Sequence, residues 1–119
     1  MSGLVLPDYE GACLNNLLPS VAARLLGETP VLDVPRAVRY VILLIDGLGW
    51  FPVAEHSHDS DLFAPGLGRA MRLTCAVPST TATSLTSIGC GSAPGSHGVV
   101  GYSFLDPDRR CVVNALTWA

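Results

Sequence analysis

Charge is what this sequence has little of. Only 14% of its 119 residues are Asp, Glu, Lys or Arg, against about 25% in an average soluble domain. A small free-standing domain has a high ratio of surface to volume and normally carries more charge than that. The deficit implies surfaces that something else covers. Basic clusters are missing as well: none exceeds the pair Arg109-Arg110, and the net charge is −3, which argues against a nucleic-acid duplex as partner. No apolar stretch approaches the roughly 18 residues of a membrane span. The first ten residues lack the basic and apolar regions of a secretion signal. Cys13, Cys75, Cys90 and Cys111 include no Cys-x-x-Cys pair, a spacing that favours free thiols over a disulfide framework or a zinc knuckle. The cytoplasm is therefore the expected compartment. The closing residues 114–119 carry no polar tail. They prompt the expectation that residues 1–119 are an incomplete, N-terminal portion of one domain of a larger enzyme.

What is present reads as alternating helices and strands. Leu14, Leu17, Leu18, Val21, Ala22 and Leu25 recur at helical spacing, and Gly27 supplies a stop, so a short helix is expected over about 19–26. Residues 28–35, bracketed by Pro30 and Pro35, form a connector. The β-branched and leucine-rich run 38–45 has no polar alternation after Tyr40, which suits a strand covered on both faces of a parallel or mixed sheet. A helical turn over 50–55 and a polar surface loop over 56–68 come next. A second strand over 70–77 ends at Pro78. Residues 81–89 place Ala82, Leu85 and Ile88 on one helical stripe. Two further strands, 99–104 and 111–116, are joined by the turn Asp106-Pro107-Asp108. This order indicates an α/β fold, and sites in such sheets gather at the carboxyl ends of strands.

Two candidates occupy those ends. Asp46 closes the first run and is followed by Gly47-Leu48-Gly49. It reads either as the N-cap of the short helix beyond or as a carboxylate ligand for a divalent cation. Ser79, Thr80 and Thr81 open the later helix. They read either as caps or as a nucleophile set where helix amides and dipole favour a phosphate. A neutral threonine is a poor nucleophile, and a metal ion corrects this by lowering the pKa of a bound oxygen. Each feature supplies what the other lacks. His56 and His58, with Asp59 and Asp61, read as a solvated surface, and the glycines between 91 and 101 do not fit a dinucleotide fingerprint.

Three blocks in order, Val41-Ile-Leu-Leu-Ile-Asp-Gly-Leu-Gly49, Pro78-Ser-Thr-Thr-Ala-Thr-Ser84 and Ala93-Pro-Gly-Ser-His-Gly-Val-Val-Gly101, resemble the type I phosphodiesterase/nucleotide pyrophosphatase family of the alkaline phosphatase superfamily. The resemblance covers about residues 38–118. It implies the N-terminal part of a three-layer αβα fold with a mainly parallel sheet. It also implies a phosphoester hydrolase with two divalent ions, zinc by expectation, and a covalent phospho-threonine intermediate. Asp46 matches the first metal ligand. Thr81 matches the nucleophile and second metal contact, with Thr80 the alternative one residue away, and the Ala82 backbone N–H matches an oxyanion donor. Tyr102 stands where many such enzymes carry an asparagine that holds a phosphate oxygen, so nucleotide specificity does not carry over. His97 matches a loop position that is not a metal ligand, and its expected role is a hydrogen bond that fixes the loop. The remaining metal ligands of the family lie beyond this region. Little catalysis is therefore expected of these 119 residues alone, and the rival expectation is a truncated, non-catalytic module that binds anions or a protein partner.

Overall fold

The structure, a computed structural model, describes residues 5–117. They divide into two compact units, one made of residues 5–40 together with 73–117 and the other of Val41–Arg72.

The first unit is held by hydrogen bonds between segments distant in sequence. Cys13 and Thr74 form a parallel bridge, with Leu14 N–H donating to Thr74 O (2.9 Å) and Thr74 N–H to Ala12 O (2.8 Å). Tyr9 Oη accepts from Val77 N–H at 3.1 Å, extending the same seam. A 3-10 turn, Leu14–Asn16, leads into helix α1 (Leu17–Leu26). Pro19 is tolerated there because the first helical turn has no intrahelical acceptor for its N–H to find. Gly27 ends α1 in the left-handed region at φ 79°, where the missing Cβ removes the steric cost. The start at Leu17 lies two residues before the expected one, and the stop falls where Gly27 places it. Arg24 then pins the connector, with its guanidinium 3.0 Å from Asp33 Oδ1 and donating to Val34 O at 3.0 Å. Ser20, only 1% exposed, accepts from Leu32 N–H at 2.9 Å.

Helix α3 (Thr81–Cys90) and the short α4 (Pro94–His97) follow, and then a hairpin of β1 (Ser103–Asp106) and β2 (Cys111–Asn114). The strands run antiparallel, with Ser103 facing Asn114 and Asp106 facing Cys111. Asp106 Oδ1 accepts the N–H groups of Asp108 (3.0 Å) and Arg109 (3.1 Å), so the carboxylate closes its own turn as Asx residues do. A small apolar cluster of Ala82, Val99 and Ala115, flanked by Phe104, fastens the hairpin to the start of α3.

The second unit, Val41–Arg72, contains α2 (Trp50–His56) and two 3-10 turns, Ser57–Asp59 and Leu67–Arg69. The Arg72 guanidinium lies 4.8 Å from the centre of the Phe51 ring. Asp59 sits between His56 (3.5 Å) and His58 (3.4 Å) with all three side chains exposed, as a solvated surface requires. No residue of this unit is buried.

Two expectations are corrected here. Residues 38–45 form no strand, and residues 70–77 contribute only the bridge at Thr74. No mainly parallel sheet is formed among residues 5–117, whose one sheet is the antiparallel hairpin. The physical reason is that a parallel strand draws all its hydrogen bonds from neighbours far away in sequence. The hairpin and the helices find theirs within a few residues. What the fold establishes is a mixed helix and strand chain.

Candidate active site

The N-terminus of α3 is built by its own hydroxyls. Thr80, at extended backbone angles (φ −94°, ψ 154°), is the N-cap: its Oγ1 accepts from Thr83 N–H at 3.3 Å and donates to Thr83 Oγ1 at 2.9 Å. Ser84 N–H takes the Thr80 carbonyl at 2.9 Å, the first bond of the helix proper. The amides of Thr81 and Ala82 have no carbonyl four residues back within the helix. Thr81 is therefore the first helical residue, half-buried, and Ala82 follows it, buried. Thr83 is fully buried, so the cap is shielded from water.

The face that α3 buries is not the one counted from apolar residues. Ala82, Thr83 and Ser87 are buried, whereas Leu85 is exposed. The hydroxyls tolerate burial because each is bonded. Ser87 Oγ lies 2.9 Å from His97 Nε2, and Val99 N–H donates to His97 Nδ1 at 3.1 Å. Since Nδ1 accepts, the neutral ring carries its proton on Nε2 and donates to Ser87. His97 thus fixes the glycine-rich loop to α3, the role expected of it. Thr83 and Ser87 are the residues that inspection for nucleophiles and ligands passed over. Their signal was present in the spacing of 80, 83 and 87, which puts three hydroxyls on one helical face. Gly91 continues that face at φ 65°, so close to α1 that a Cβ there would sit 2.6 Å from Pro19 Cγ.

Tyr102 belongs to the same neighbourhood through its backbone. Its carbonyl accepts Ala115 N–H at 2.8 Å, and Ala115 is part of the cluster with Ala82. Thr80, Thr81, Ala82 and Tyr102 all lie in the first unit. Asp46 lies in the second, at a tight turn with Gly47 at φ 73°. The N-cap of α2 is Gly49 and not Asp46.

Among the described residues, no group of three or more His, Cys, Asp or Glu side chains could hold a metal ion. Catalytic zinc takes about three protein ligands. One carboxylate and one hydroxyl fall short of that, and residues 5–117 do not complete a metal centre. No helix among them is long and apolar enough to cross a membrane. The four cysteines are free thiols, Cys13 buried and Cys90 and Cys111 exposed.

The described residues make a mixed helix and strand protein. The chain belongs to the type I phosphodiesterase/nucleotide pyrophosphatase family, whose model matches residues 40–117. Searches of curated proteins and of solved structures returned no match. Membership identifies a hydrolase family, generally metal-dependent, that acts on phosphoesters.

Proposed function

We propose that this chain supplies the nucleophile-bearing portion of a phosphoester hydrolase domain, of the phosphodiesterase or nucleotide pyrophosphatase type, and that Thr81 is the nucleophile. The observation that carries the choice is the cap. Thr80 is the N-cap, its hydroxyl bonded to Thr83, and Thr81 is the first residue of the helix. There the first-turn amides and the dipole favour an anion. In this reading Thr81 Oγ forms a bond to phosphorus as the bond to the leaving oxygen breaks, and the leaving alkoxide takes up a proton. Water later cleaves the phospho-threonine and restores the hydroxyl. The Ala82 N–H stabilises charge on a non-bridging oxygen, and the Tyr102 phenol donates to another.

Asp46 would supply the first of the ligands for two divalent ions, zinc by expectation, and further ligands would come from the rest of the domain. The complete domain would adopt the three-layer αβα arrangement, with residues 38–45 as a strand of a mainly parallel sheet. The apolar character of that run on both faces supports this. The same exposed run favours a second reading, a non-catalytic interaction module, because it leaves apolar surface for a partner.

Turnover separates the two. In the protein that carries this chain with its remaining domain, hydrolysis of a chromogenic phosphodiester is expected, and Thr81→Ala should lower kcat/KM by roughly 10³- to 10⁶-fold. Thr80→Ala should act mainly on stability. The reverse pattern would move the nucleophile to Thr80, and full activity in both variants would remove threonine from the chemistry. The 119 residues alone are expected to turn over no substrate, and stoichiometric binding of two zinc ions by them would contradict the ligand count.

A further inference from the structure

Thr83 has 0% of its surface exposed, so its hydroxyl is satisfied inside the protein and not by solvent. Its partner is Thr80. The two side-chain oxygens lie 2.9 Å apart, and Thr83 N–H donates to the same Thr80 oxygen at 3.3 Å. Because Thr80 Oγ1 accepts from the backbone, its single proton is directed at Thr83 Oγ1. We propose that Thr83 is the positioning residue that selects the nucleophile: it holds the Thr80 hydroxyl proton and so keeps Thr80 out of the chemistry that Thr81 performs. The inference rests on the catalytic reading above and deepens it.

Thr80 and Thr81 are neighbours at one helix N-terminus, where the first-turn amides and the dipole favour an anion. A second hydroxyl beside the nucleophile competes for phosphorus unless something holds it. Thr83 is placed to do so, since side chains three residues apart lie on one helical face. A hydroxyl that attacks phosphorus must give up its proton as the new O–P bond forms. An alcohol is a poor base, so Thr83 accepts the hydrogen bond without taking the proton away. Its burial also keeps water from entering between the two oxygens and relaying that proton to solvent.

The point at which the substrate's phosphorus becomes attached tests this. In the protein that carries this chain with its remaining domain, turnover of a chromogenic phosphodiester is quenched in acid, and the esterified residue is located by mass spectrometry of the peptides. The wild type should carry the ester on Thr81 alone. Thr83→Val, and Thr83→Ala as a second variant lacking the hydroxyl, should divide it between Thr80 and Thr81. Both should lower kcat about tenfold at unchanged KM. Thr83→Ser keeps the hydroxyl and should restore the single site. Ser87→Ala removes the next buried hydroxyl of the same face without touching Thr80, so its ester should stay on Thr81. That control separates positioning from a general loss of stability. An ester on Thr81 alone in both Thr83→Val and Thr83→Ala, or a divided ester in Ser87→Ala, overturns the proposal and leaves the catalytic reading standing. A wild type esterified on neither threonine overturns both.

Discussion

Helix α3 and residues 41–45 are held in opposite ways. In α3 the ends and the buried face are satisfied close at hand: Thr80 caps the start, Gly91 closes the end in the left-handed region, and Thr83 and Ser87 bury bonded hydroxyls. Residues 41–45 are more apolar, yet none is buried and none lies in a sheet. The difference shows that apolar character alone does not fix a segment in place. What fixes it is a partner for its backbone, and in this chain the polar residues found theirs first.

The contrast can be broken or sharpened by substitution, measured as the change in unfolding free energy by chemical denaturation. The largest effect is expected from Gly91→Ala, which forces a Cβ into the left-handed region and against Pro19. A loss of about 2–4 kcal/mol is expected. Gly27→Ala has a similar φ but nothing within 4 Å of the added atom, so it should cost only about 1 kcal/mol. Ser87→Ala strips the half-buried His97 of its Nε2 partner and should cost about 1–2 kcal/mol. Thr80→Ala removes the cap, for about 1 kcal/mol. Val41→Thr, at a 98% exposed position, should change stability by less than about 0.5 kcal/mol. A loss of several kcal/mol there would mean that the run is packed after all, and the comparison would fail.

The same contrast explains what could be read from residue order. The stop of α1 and the body of α3 were legible because glycine and threonine act on the backbone beside them. The hairpin was legible from its turn, which Asp106 closes itself, although its first strand runs Ser103–Asp106 rather than over 99–104. The strand expected over 38–45 was not realised, because its hydrogen-bonding neighbours are not specified within it. The stripe Ala82, Leu85, Ile88 misled for a different reason. Counting apolar residues ignores hydroxyls that find partners once buried, as Thr83 does with Thr80. At the candidate site, order alone left Thr80 and Thr81 as alternatives, and the structure makes Thr80 the N-cap and Thr81 the first helical residue. Asp46 was located by its place after the apolar run, and the N-cap of α2 is Gly49 rather than Asp46.

The seam near Cys13 has a consequence for how the molecule is made. Asp8 bonds to Thr74 across 66 positions, Ala12 to Thr74 across 62, and Tyr9 to Val77 across 68. A ribosome must deliver Thr74 before this closure can begin, and the entropy of so wide a loop slows it. Helix α1 draws its backbone hydrogen bonds from within ten residues and needs no such loop. The segment around Asp8 to Cys13 therefore waits during synthesis and locks only when Thr74 emerges.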